Sequence, residues 1–177
     1  MTKSKTWTVG LGGYKNAQAL LRALVEAGVT RIGLAESLLH GKDFDVQKEQ
    51  RQVDLVVRTV EQLGFTKSET YEKICVRAEK RGFELCPPDL GPLLTLEPSS
   101  RFSADVLYIG MEPIADIDGG GGLRAIFGIV LVDGKVVLKG FYCAPRYIFG
   151  LQTQFVLLKP CVVKRERPKL EELVTRF

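Results

Sequence analysis

The dipeptide Asp133-Gly134 constrains this chain more than any other feature, because it joins two runs rich in β-branched and apolar residues. A two-residue type I′ turn needs positive φ at both central positions, which Asp-Gly tolerates and most pairs do not. So short a loop also dictates which residues face each other. Val132 pairs with Lys135, Leu131 with Val136, Ile129 with Leu138 and Phe127 with Gly140. One face then carries Ala125, Phe127, Ile129, Leu131, Val136, Leu138, Gly140 and Tyr142, all apolar or aromatic, and this face is core. The Phe127 ring is expected to cover the backbone that Gly140 leaves bare. The other face is mixed. Its lysines lie toward the turn, while Ile126, Phe141 and Cys143 lie at the far end, where a helix of this chain or another molecule must cover them. A slip of one residue would turn the core face to water, so the register is well specified.

Residues 105–111, 124–132, 135–143 and 154–158 read as the strands of an antiparallel meander around this hairpin. The first half reads differently. After a short strand at 7–9, Asn16 caps a helix over 17–27, with Leu20, Leu21, Leu24 and Val25 on its apolar stripe and Gly28 as its stop. A shorter helix covers 34–39 and ends at Gly41. The Val-rich stretch 53–59 favours a strand over a helix. Ser68, or Thr66 with Glu69 as a capping box, opens a helix over 69–81 that buries Tyr71, Ile74, Cys75 and Ala78 and stops at Gly82. Four prolines between 86 and 98 mark an irregular, packed connector. Pro168 suits the first turn of a terminal helix over 169–176. The expected fold is therefore α+β, a helix-rich N-terminal half packed on an antiparallel β-meander in the C-terminal half. It forms one domain over 1–177, with 86–98 as the place where it would subdivide.

Composition narrows the function classes. Apolar residues are 45% and charged residues 26% of 177, which is ordinary for a folded domain and argues against disorder. A net charge of +4 permits an anionic partner without demanding one. The cysteines Cys75, Cys86, Cys143 and Cys161 never form C-x-x-C, and His40 is the lone histidine, so neither a metal nor a cofactor is expected. The N-terminus has no apolar leader region, and no apolar run approaches the length of a membrane span. The expected location is the cytoplasm, with no membrane partner.

Several short patterns invite a site. Gly10-Leu-Gly-Gly-Tyr-Lys15 precedes a helix but places lysine where a dinucleotide fingerprint needs its third glycine, and it lacks the Gly-Lys-Ser/Thr of a Walker loop. Lys15 and Asn16 at that helix start remain candidates for holding an anion. Asp116 and Asp118 open a glycine-rich loop that resembles a calcium loop only in its first positions, and its later ligand positions fail. Glu112, just before Pro113, could pair with Asp116 as two carboxylates. Lys15, Asn16, Glu112, Asp116 and Asp118 are thus the candidates for ligand or partner binding. A basic stretch containing Lys164, Arg165, Arg167 and Lys169, with Arg146, Tyr142, Tyr147 and Phe149 nearby in sequence, could offer charge and stacking rings to nucleic acid. His40 reads as a favourable charge at a helix C-terminus, and its pairing with Cys75 or Cys86 as a catalytic dyad would need spatial proximity that sequence does not reveal.

Glu84-Leu-Cys-Pro87, Gly91-Pro-Leu-Leu94 and Ile109-Gly-Met-Glu-Pro-Ile114 resemble the corresponding stretches of a loose set of uncharacterised bacterial proteins. This resemblance implies a bacterial, cytoplasmic chain and carries over no activity, cofactor or site residue. Three functional readings follow from the residues. The first is a non-catalytic interaction or binding module, whose partner is a protein or a second copy. The second is a nucleic-acid-associated protein using the basic C-terminal segment. The third is a small hydrolase or transferase using a carboxylate or a cysteine.

Overall fold

The structure, a computed structural model, describes residues 6–115 and 123–160. Within them strand exceeds helix, 36% to 24%. The chain runs β1 (Thr6–Leu11), α1 (Ala17–Glu26), β2 (Thr30–Gly33), α2 (Ala35–His40), β3 (Arg51–Thr59), β4 (Glu69–Thr70), α3 (Tyr71–Lys80), α4 (Leu90–Thr95), β5 (Val106–Ile109), β6 (Ile114–Ala115), β7 (Arg124–Val132), β8 (Lys135–Tyr142), β9 (Ile148–Phe149) and β10 (Gln154–Leu158). Eight strands form one mixed sheet in the order β1-β3-β10-β5-β7-β8-β2, with β6 beside β7, while β4 and β9 form a separate two-stranded ribbon.

This overturns the expected division into a helical half and a meander. The first half supplies both edges of the sheet, β1 and β2, and also β3 inside it. Two of the pairings, β10 with β5 and β2 with β8, are parallel. Only β5, β7 and β8 keep the antiparallel order read from sequence. The terminal helix expected over 169–176 lies outside the described residues.

The hairpin has the register the turn dictates: Val132 faces Lys135, Leu131 faces Val136, Ile129 faces Leu138 and Phe127 faces Gly140. Asp133 and Gly134 have φ of 49° and 73°, as a type I′ turn requires. Ala125, Phe127, Ile129 and Leu138 are buried, as the core face demands. What fills the space beside Gly140 is not the Phe127 ring. A Cβ there would lie 2.6 Å from Leu34 Cβ and 2.8 Å from the Leu34 carbonyl carbon, so the turn from β2 into α2 passes directly over it.

Helices α2 and α4 pack against the Phe127 side of the sheet, and α1 packs against α4. Asn16 caps α1 through its side-chain oxygen, which accepts the Ala19 N–H at 2.9 Å. Leu20 and Leu24 are buried, but Val25 is 62% exposed and lies off the stripe assigned to it. The proline-rich connector contains a helix after all. Pro92 is tolerated at its third position because N–H groups of a first helical turn have no partner in the helix.

On the opposite side of the sheet this chain supplies much of the cover itself. Ile126 is fully buried. The Phe141 ring packs 4.6 Å from that of Tyr108, and Tyr108 meets Phe149 of β9 and Phe155 of β10. Tyr71 at the start of α3 closes the cluster against Phe149 and Phe155. The anticipated capping box of α3 does not form. Thr70 occupies the cap without a side-chain hydrogen bond, and Glu69 pairs in β4 and bridges to Lys73 at 3.1 Å.

One buried carboxyl has an incomplete set of partners. Asp89, just before α4, is 1% exposed. Its Oδ2 accepts the Gln47 N–H at 2.8 Å, whereas Oδ1 has no hydrogen-bond partner among the described residues. Burial holds this carboxyl above the usual carboxylate range and Asp45 adds to the effect, against opposing pulls from the Gln47 N–H and Arg51. Because the folded state binds the proton more tightly than the unfolded chain, Asp89 subtracts stability as pH rises through its folded pKa. Asp89→Asn is therefore expected to gain on the order of 1 kcal/mol over wild type at pH 8, and the gain should vanish near pH 4. Denaturant melts of both proteins at the two pH values check this, and a difference independent of pH would contradict it.

Candidate functional site

The first two turns of α3 form one wall of a cavity of about 370 Å³. Thr70, Tyr71, Glu72, Cys75 and Val76 come from that side, and Leu85, Glu112-Pro113, Leu123-Arg124 and Cys143-Ala144-Pro145 complete the lining. These segments meet because Tyr71 ties α3 to the end of β5. Its hydroxyl donates to the Met111 carbonyl at 2.6 Å and accepts the Met111 N–H at 2.8 Å. The backbone that carries Glu112 is thereby fixed relative to α3. Leu85 is held close by two bridges, Glu84 to Leu158 and Cys86 to Met111. On the far wall the Cys143 N–H donates to the Arg124 carbonyl at 3.2 Å.

The chemistry of this lining is mainly apolar. Tyr71, Cys75, Val76, Leu85, Pro113, Leu123, Cys143, Ala144 and Pro145 present carbon and sulfur, and the charged groups are Glu72, Glu112 and Arg124. The Arg124 guanidinium donates to the Pro113 carbonyl at 2.9 Å. Neither Glu72 nor Glu112 has an ion-pair partner among the described residues. Burial pushes the Cys75 thiol up to about 11 and the Cys143 thiol up to about 12. Both are therefore protonated at neutral pH and poor nucleophiles.

Of the residues singled out by sequence, those that the structure describes have different surroundings. Glu112 lies in the cavity wall. Asn16 spends its side chain on capping α1, and Lys15 beside it is exposed. Asp116 and Asp118 lie outside the described residues, as do Lys164, Arg165, Arg167 and Lys169. Arg146 is exposed, and its guanidinium sits 5.1 Å above the Tyr147 ring, which stacks on Tyr142 at 6.4 Å. Phe149, expected among the stacking rings, is buried against Tyr71, Tyr108 and Phe155.

His40 ends α2 as anticipated and contacts Glu36 at 3.1 Å, which in turn holds Arg31 at 2.6 Å. Cys86 is buried, burial raises its pKa, and its Sγ donates to the Val156 carbonyl at 3.3 Å. The thiol and the imidazole thus have separate partners. Among the described residues no cluster of His, Cys, Asp or Glu side chains is placed to hold a metal ion, and no helix is long and apolar enough to cross a membrane.

Sequence reasoning missed most of the cavity. Tyr71 and Cys75 stood out as members of an apolar helical stripe, but nothing in their spacing links them to Ala144 or Leu85. Of the binding candidates read from sequence, Glu112 is the one that lines the cavity among the described residues. Compared with family models, curated proteins and solved structures, the chain finds no match.

Proposed function

We propose that this chain is a non-catalytic binding protein whose ligand occupies the cavity between α3, 112–113 and 143–145. The carrying observation is the combination of a ligand-sized, mostly apolar cavity with a few polar groups on its walls, the usual character of a binding pocket. The protonated thiols favour binding over cysteine chemistry. Free thiols at Cys75, Cys86 and Cys143 suit a reducing compartment, in keeping with a cytoplasmic protein.

The test uses 1-octanol, an apolar probe with no charge, titrated calorimetrically into the full chain. Ala144→Trp, which fills the cavity from its far wall, is expected to weaken binding about tenfold or more, the factor lost with 1.4 kcal/mol of apolar contact. Circular dichroism confirms that the variant is folded. Equal affinity in the folded variant and the wild type would contradict the reading.

A second reading, nucleic-acid association, draws support from Arg146 and the stacked Tyr142–Tyr147 pair. It requires affinity for a single-stranded oligonucleotide to fall steeply with salt, and indifference to salt would sink it.

A further inference from the structure

The same cavity carries information about the charge of its ligand, and this inference rests on the binding reading above. Two carboxylates stand on different walls, Glu72 on the first turn of α3 and Glu112 on the segment that Tyr71 anchors. Both are exposed and neither is neutralised by an ion pair among the described residues. Among the described residues the one cation in the lining is Arg124, which directs its guanidinium to the Pro113 carbonyl. The rest of the lining is apolar, and Val76, 44% exposed, extends that apolar character to the rim. An apolar body therefore finds its match in the cavity interior, and a positive charge finds its match in the glutamates of the lining.

We propose that the ligand is a small amphipathic cation, an apolar chain or ring bearing one primary ammonium group, with Glu72 and Glu112 as the groups that select its charge. An ammonium suits the pair because it is compact and presents three donors to acceptor-only carboxylates. A carboxylate ligand of the same shape would face two glutamates against the single guanidinium of Arg124, which already donates to the Pro113 carbonyl.

Octylammonium, 1-octanol and octanoate, equal in chain length and different only in head group, separate the two claims. Calorimetry on the wild-type chain is expected to rank octylammonium first, about tenfold above octanoate, which is the factor supplied by a charge contact or two in water. Glu72→Gln/Glu112→Gln changes two exposed side chains and should fold normally. In it the preference should fall to about threefold or less while 1-octanol binds as before. Octanoate or 1-octanol binding as tightly as octylammonium to the wild type would overturn the charge inference and leave the cavity reading standing. A preference that survives the double substitution would show that other groups select the cation, and would equally overturn it. Failure of all three probes to bind would overturn the cavity reading itself.

Discussion

Phe127→Ala is expected to destabilise the protein by about 3–5 kcal/mol, the range for removing a buried aromatic ring that the surroundings cannot replace. Collapse around this ring is blocked on each side. Phe127 is fully buried in β7, between β5 and β8 in the sheet order. Phe44 meets it edge-on at 5.9 Å. Helix α4 rests on it so closely that a Cβ at Gly91 would come within 2.8 Å of Phe127 Cβ. Those contacts hold α4 against the sheet, so the loss should also loosen the connector that contains it. Val132→Ala, in the same strand but 46% exposed beside the turn, should change stability by about 0.5 kcal/mol or less. Urea melts of the two variants give the comparison, and similar losses for both would contradict the assigned core face.

Gly140→Val should be nearly as damaging, for the opposite reason. Where the phenylalanine leaves a void, the valine meets atoms that cannot yield. Its Cβ would lie 2.6 Å from Leu34 Cβ, 2.8 Å from the Leu34 carbonyl carbon and 2.9 Å from the Ala35 nitrogen. Two of these atoms are main chain, at the junction where β2 becomes α2. The strand and helix must move together to make room, which should cost about 3 kcal/mol, the upper part of the range for overpacking. The consequence is local as well as global. β8 is the only strand that Thr30–Gly33 pairs with among the described residues, so the amides of β2 should exchange with solvent much faster in the variant. Gly10→Ala gives the control, since a Cβ there meets only the Gln52 side-chain nitrogen at 3.5 Å. Intact protection of β2 in folded Gly140→Val would show that the crossing over Gly140 is wrong.

The parts of the fold that were legible are those governed by local geometry. The hairpin register followed from two φ angles and a period of two. The helix starting at Ala17 followed from a cap and an apolar stripe. Gly82, at φ of 87°, marked the end of α3. What stayed hidden depends on distant partners. β2 has four residues, none of them fully buried, so it shows no alternation from which to read a strand. Its partner β8 lies a hundred residues away, and the parallel pairing of β10 with β5 has no local signature either. The proline run read as irregular because proline count outweighed proline position, although a first-turn proline is compatible with α4. The cavity was least legible of all. Glu112 was visible as a carboxylate, but its walls are brought together by the Tyr71 hydroxyl and by main-chain bonds across the sheet. At the far end of the second hairpin face, where a helix of this chain or another molecule was expected, Ile126 is buried and Phe141 packs on Tyr108.

The binding role of that cavity is open to a residue-by-residue test by nuclear magnetic resonance. Titrating 1-octanol into the isotopically labelled full chain should shift the methyl resonances of Val76, Leu85, Leu123 and Ala144, which line the cavity. The methyls of Val25 and Ile32, exposed elsewhere on the surface, should stay in place. Shifts confined to such outlying residues, or no shift at all, would show that the cavity is not a binding site.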